Sequence, residues 1–210
     1  MISYEKVRKE MEKTLSPKRY LHSLRVVAEA SKLAKQYKLD SKRMRLSCLT
    51  HDCTKGWSRM ESIAYLESHH IKITEEDKLL SAVLHGKVAA TWCKQHYDFD
   101  ENMCKAIFYH TTGHRNMNDF AKVLFLADKI EEHKKYEGVC DVRKLAYQNL
   151  DEAILLYLNI KIKKAMIKGM LLHSDTFYLQ NDLQNQLFCQ KLYWQTQKME
   201  QKHFIKRNYK

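Results

Sequence analysis

"LTHDCTKGW", residues 49–57, sets His51 and Asp52 side by side, with Lys55 three residues on. A His-Asp pair arises by chance often enough to say little by itself. Its meaning depends on which other side chains the surrounding helices bring to it.

Reading outward from the pair, helix starts are legible. Asp40 can cap a helix on which Met44, Ser47, Cys48 and His51 share one face. Upstream, Ser16-Pro17 is an N-cap followed by proline at the first helical position, and Val26, Ala30, Leu33 and Tyr37 form a stripe that His22 continues by one turn. Downstream, Ser58 with Glu61 forms a capping box, and Thr74 with Asp77 resembles another. Asp100 can cap a helix carrying Met103, Ala106, Ile107 and His110. Asn118 or Asp119 opens one through Val123, Leu124 and Ala127, with Asp128 beside that face. Asp141 begins a long helical region ending near Gly169, and a Gln-rich helix follows from about Asp175.

Composition agrees with an all-α helical bundle. The 210 residues hold only 5 Gly and 1 Pro, too few for the tight turns of a β protein. No apolar run is long enough to span a membrane, and the charged N-terminus lacks the apolar core of a signal peptide. Six scattered cysteines without a C-x-x-C pair fit a reducing cytoplasm and argue against a zinc ribbon or a disulfide scaffold. The net charge of +12 attracts polyanions such as nucleotides or nucleic acid; a solvated basic exterior is the competing reading.

His22, His51 and His110 lie in line with apolar helix faces, and His85 ends the apolar run "SAVL". One such histidine is more often a hydrogen-bonded core residue. Four of them with two aspartates are better explained by a shared metal, because buried imidazoles and carboxylates are costly without a common partner. Adjacent His51 and Asp52 diverge by about 100° at a helix end, so the carboxylate can bridge toward a second ion. A cysteine-free ligand set favours iron or manganese. Two ions can activate water and hold the leaving oxygen together.

The order His22, His51-Asp52, Asp128 resembles the HD-domain superfamily of metal-dependent phosphohydrolases, and His85 and His110 resemble the extra ligands of its two-metal branch. The strings "RYLHSLRV" (19–26), "LTHDCTK" (49–55), "LHGKVAA" (84–90), "IFYHTTGHRNM" (107–117), "LFLADKIE" (124–131) and "LLHSDT" (171–176) together resemble the YqeK family over about residues 5 to 190. The resemblance implies an HD-domain helical bundle over residues 1–190, followed by a basic extension at 191–210. It also implies a di-iron centre, with manganese as the alternative, and symmetrical hydrolysis of diadenosine tetraphosphate to two ADP.

The ligands it implies are His22, His51, Asp52, His85, His110 and Asp128. Asp52 and Lys55 are the expected catalytic residues. Lys55 and Arg19 are placed to hold phosphate oxygens. Thr111, Thr112 and Gly113 suit a phosphate or ribose, with a helix C-cap as the other reading. His173 and Thr176 fall in the family's nucleotide-contacting segment, and Glu131 is expected beside the ligands or as a structural group. Lys134 stands where the family has Arg, keeping the charge without the bidentate fork. Lys87 replaces a common proline and adds charge near His85; like Lys134 it is expected to contact the substrate.

The expected partner is a small nucleotide, with no membrane and no nucleic acid, and a homodimer is compatible with the reading. Three alternatives remain: another HD phosphohydrolase such as a 5′-nucleotidase, a non-catalytic nucleotide- or RNA-binding regulator, and a di-iron oxygenase. A cyclic-dinucleotide phosphodiesterase is disfavoured, since the only proline is Pro17 and the Gly-Tyr-Pro motif of that branch is absent.

Overall fold

Short polar side chains set the helix boundaries, because each helix start leaves N–H groups without partners. In this computed structural model, residues 2–208 are described, with side chains described to Tyr193 except at 191. Among them the chain forms eleven α-helices and no strand. These are α1 (Tyr4–Thr14), α2 (Pro17–Gln36), α3 (Ser41–Thr50), α4 (Arg59–Ser68), α5 (Glu75–Leu79), α6 (Leu84–Tyr97), α7 (Glu101–Tyr109), α8 (Asp119–Ile130), α9 (Val139–Ala146), α10 (Leu150–Ile167) and α11 (Ser174–Asn208). A 3₁₀ turn, Ser81–Val83, leads into α6.

Asp40 and Asp100 each accept two first-turn N–H groups, and Asn118 accepts from the Ala121 N–H. Both capping boxes form, Ser58 with Glu61 and Thr74 with Asp77. Caps of this kind are worth about 1 kcal/mol each. Pro17 opens α2 as expected, but the Ser16 side chain makes no capping bond. The helical region read from Asp141 to Gly169 is two helices. It begins at Val139, and at 147–149 the chain turns, with the Asn149 side chain accepting from the Asp151 and Glu152 N–H groups to start α10.

α8 is buried on nearly every side, with Val123, Leu124, Phe125, Leu126 and Ala127 all inaccessible. It packs against α2, α7 and α10, while α2 lies along α3 and α6 along α7. Burying a Leu or Phe side chain is worth about 1.5–3 kcal/mol, so this central helix is strongly held. Asp128, in its last turn, is carried into the interior with it. The basic extension expected at 191–210 continues α11 as backbone to Asn208. Apart from Leu192 and Tyr193, its side chains lie outside the described residues. No helix among the described residues is long and apolar enough to cross a membrane.

Candidate metal centre

His22 comes from α2, His51 caps the C-terminal end of α3, and Asp52 begins the turn beyond it. His85 stands in the first turn of α6, His110 caps the C-terminal end of α7, and Asp128 ends the buried run of α8. Five elements thus deliver six side chains to one place. His22 Nε2 is 3.0 Å from Asp128 Oδ1, and His51 Nε2 is 3.9 Å from the same oxygen. Asp52 divides its carboxylate: Oδ2 is 3.7 Å from His51 Nε2, while Oδ1 is 3.0 Å from His85 Nε2 and 3.4 Å from His110 Nε2.

The histidines are oriented from behind. Nδ1 of His51, His85 and His110 lies 2.7, 2.7 and 2.6 Å from the carbonyl oxygens of Cys48, Ala82 and Ile107. Each of these contacts requires Nδ1 to carry a proton, which in the neutral ring leaves Nε2 as a lone pair. Nε2 of His85 and of His110 are 3.0 Å apart, with Asp52 Oδ1 beside them. Three acceptors therefore converge with no proton of their own between them, and His51 Nε2 is buried with no hydrogen-bond partner among the described residues. Burial pushes the His51 imidazole down to about 3 and lowers that of His85, favouring neutral ligands. This donor set fits divalent cations. His22, His51 and Asp128 can hold one ion, and a second group contains His51, Asp52 and His110.

Gly86 makes the meeting of His85 and His110 sterically feasible. A Cβ there would stand 3.0 Å from Phe108 O, 3.2 Å from Ile107 O and 3.2 Å from His110 Nδ1. The Thr54 hydroxyl donates to His85 O, tying the His-Asp turn to α6. His22 is oriented by Glu131, whose Oε1 is 3.3 Å from Nδ1. Burial opposes ionisation of Glu131, but the His133 N–H and the Arg25 guanidinium hold its carboxyl below the usual range. Arg143 donates to the carbonyls of Ile130, Glu131, Glu132 and Lys134 and so fixes the chain beyond α8.

Cations ring the two aspartates. Lys55 Nζ is 2.8 and 3.1 Å from the Asp52 oxygens. Lys134 Nζ is 3.4 Å from Asp128 Oδ1, and Lys129 Nζ is 2.6 Å from Asp128 Oδ2. Burial alone would lower the Lys129 ammonium, but Asp128 outweighs it and Lys129 is pushed up to about 12.

Arg19 lines a hollow of about 280 Å³ with Thr54, Gly56 and Trp57, beside the turn that carries Asp52 and Lys55. Thr111, Thr112, His173 and Thr176 line another, of about 320 Å³. Of these, Thr111 faces the ligands, its hydroxyl 3.2 Å from His110 Nε2 and 3.4 Å from His85 Nε2. The other two hydroxyls bind main chain: Thr112 donates to Gly113 O, and Thr176 donates to Thr112 O. Gly113 has φ +77° and its N–H donates to Tyr109 O, and a Cβ there would collide with Leu179. Its geometry is that of a helix C-cap. A larger, apolar hollow of about 480 Å³ between α6 and α7 holds none of the expected site residues.

Lys87 is not brought to the metal ligands. Two residues beyond His85 it points about 200° away around the helix, where its Nζ is 2.6 Å from the fully buried Asp77. His173 meets the same carboxylate, with Nε2 3.4 Å from Asp77 Oδ1. Burial would raise the Asp77 carboxyl, but His173 and Lys87 hold it well below the usual range. Sequence reasoning missed Lys129 and Lys161, which read as ordinary basic residues, and saw in Asp77 only a capping residue. The acidic "TEED" start of α5 was the only available signal for the last.

Residues 19–133 match the HD domain family, a span that contains all six candidate ligands. The chain is 31% identical over 172 residues to the symmetrical bis(5′-nucleosyl)-tetraphosphatase of Halalkalibacterium halodurans, covering 80% of this chain and 90% of that one. It is 35% identical over 159 residues to the protein of the same name from Staphylococcus aureus, covering 73% and 80%. The crystal structure of a "predicted HD superfamily hydrolase involved in NAD metabolism" from Clostridium acetobutylicum is similar in fold, with a TM-score of 0.85 and 34% identity over 89% of this chain and 99% of that one. An HD match that spans the whole His/Asp cluster, joined to relatives this similar along most of their length, shows that the chain belongs to the YqeK family of HD-domain phosphohydrolases and is a metal-dependent hydrolase.

Proposed function

We propose that this chain hydrolyses diadenosine tetraphosphate symmetrically to two ADP, with two iron ions held by His22, His51, Asp52, His85, His110 and Asp128. The observation that carries the two-ion reading is the divided carboxylate of Asp52, one oxygen toward His51 and the other toward His85 and His110. The substrate reading rests on the names of the relatives from H. halodurans and S. aureus. Bound there, the ions supply an activated water and positive charge for the phosphate under attack; manganese is the alternative metal.

The chain's own groups do the positioning. Asp52 aligns the centre, and Lys55, above it, neutralises charge that develops on the transferred phosphate. Arg19 and Lys134 hold phosphates on either side. One ADP half occupies the 320 Å³ hollow, where Thr111 meets its phosphates and where Thr112, His173 and Thr176 form the wall, with Gly113 turning the chain behind Thr112. Lys87 acts through Asp77, which it shares with His173. Water adds to the second phosphorus, the bridging P–O bond to the third phosphate breaks, and the far ADP leaves as an anion.

Residues 1–190 form the catalytic domain and 191–210 a basic extension. The six cysteines are all free, which supports a reducing cytoplasm as the place of action. Reaction in oxygen-18 water followed by mass spectrometry tests the proposal. One labelled β-phosphate per two ADP is expected. Equal ATP and AMP would overturn symmetrical attack, and cleavage of mononucleotides alone would turn the assignment to a nucleotidase.

A further inference from the structure

α10 carries three lysines within "IKIKK", of which Lys163 and Lys164 are exposed and Lys161 is half-buried. Lys161 lines the 320 Å³ hollow, a volume within the about 300–1,000 Å³ usual for small-molecule sites. Its one hydrogen bond is long, 3.5 Å from Nζ to Thr111 O. Thr111 is the residue whose hydroxyl touches both His85 and His110, so Lys161 stands one residue away from the metal ligands.

Among the described residues no carboxylate lies within ion-pair distance of Lys161. The nearest acidic influence is Asp128, whose charge is already met by Lys129 at 2.6 Å and Lys134 at 3.4 Å. Burial, and then repulsion from Lys129, push the Lys161 ammonium down to about 7. A shielded ammonium without a counter-charge is unfavourable, and an anion in the hollow would relieve it. The walls above are apolar, with Leu80, Val83 and Leu172. A nucleotide with its base among these leucines and its terminal phosphate at the metal ligands must pass its intervening phosphate by Lys161.

We infer that Lys161 is a substrate-positioning group that binds the α-phosphate of a nucleoside diphosphate unit seated in this hollow. The inference rests on the proposed function for its substrate, but the anion site can be read separately.

The test compares the metal-loaded wild type with Lys161→Met, which keeps the stem and removes the charge, and with Lys161→Arg. ADP affinity is measured by calorimetry and cleavage of diadenosine tetraphosphate by steady-state kinetics. In Lys161→Met we expect ADP affinity to fall about tenfold, equivalent to about 1.4 kcal/mol, and KM to rise by a similar factor. There kcat stays within about threefold and metal content is unchanged, as for loss of binding shared by ground and transition states. Lys161→Arg should restore most of the affinity. Unchanged ADP affinity and KM in Lys161→Met would overturn the inference. So would a loss of metal or helicity that Lys161→Arg shares, since Lys161 would then be structural. A wild type that fails to bind ADP overturns it as well. If the wild type binds ADP but cleaves no dinucleotide, the substrate reading falls alone, and the ADP titration still decides for or against Lys161.

Discussion

Lys55 reaches both oxygens of Asp52, 2.8 Å from Oδ2 and 3.1 Å from Oδ1. These are the oxygens that face the two histidine sets. A lysine in that position is a cation already directed at the centre, yet it is no ligand, since an ammonium has no lone pair to give. Lys55→Ala is expected to lower kcat by about 100-fold or more, as for loss of one electrostatic donor, with metal content unchanged. Metal analysis beside turnover checks this. Lower occupancy with normal turnover per bound ion would make Lys55 structural.

The convergence of His85, His110 and Asp52 Oδ1 predicts stoichiometry. Wild-type protein is expected to hold two ions per chain. His85→Ala or His110→Ala should each hold about one and lose most activity, with helical content near wild type by circular dichroism. Elemental analysis of the purified variants is the measurement, and full activity with a single ion would refute the two-ion reading.

Gly86 predicts a defect without loss of any ligand. Gly86→Ala sets a methyl against the carbonyls of Phe108 and Ile107 and against the His110 ring. Backbone cannot yield as a side-chain tip can, so α6 and α7 must part and the two imidazoles with them. Affinity for the ion at His85 and His110 should fall about 10- to 100-fold, the range for disturbing groups that orient ligands. Competition against a chelator reads this, and wild-type affinity in Gly86→Ala would show that the helices adapt.

His173 predicts a pH dependence of stability. The Asp77 carboxylate 3.4 Å from its Nε2, with Glu76 and Asp175 nearby, raises its pKa above 6.5 despite burial. A proton held more tightly in the folded chain stabilises fully below the unfolded pKa, and the contribution is lost as pH rises through the folded value. The Tm advantage of wild type over His173→Gln should therefore be greatest below pH 6.5 and shrink above it. Thermal melts of both proteins from pH 5.5 to 9 measure the difference. A constant gap would assign His173 a packing role only.

Much of the centre was legible in the sequence because its residues obey local rules. His22, His51 and His110 lie in line with apolar stripes at helical spacing, and Asp40, Asp100 and Asn118 fix where α3, α7 and α8 begin. Lys129 and Lys161 escaped because a long basic side chain can lie along a buried face and still carry its charge to a distant point, so periodicity does not mark its target. Motif position marks Lys87, beside His85, and His173 as substrate contacts. That they meet at Asp77 depends on helix packing that brings residues 77 and 173 together, for which no local pattern exists. The break between α9 and α10 was hidden because Asn149 caps a helix within a sequence that stays helix-prone on both sides.

The start of α11 is fastened twice, by Ser174 to Glu76 and by Thr176 to Thr112. The last of the hollow's walls therefore comes from the last fifth of the chain, whereas every candidate ligand precedes residue 129. During synthesis the order is enforced by the ribosome. All six candidate ligands are translated before that wall, and the fastening closes only when Thr176 has emerged. A message cut short after α8 would lack the wall against which a nucleotide would rest, and with it the α10 packing that holds α8.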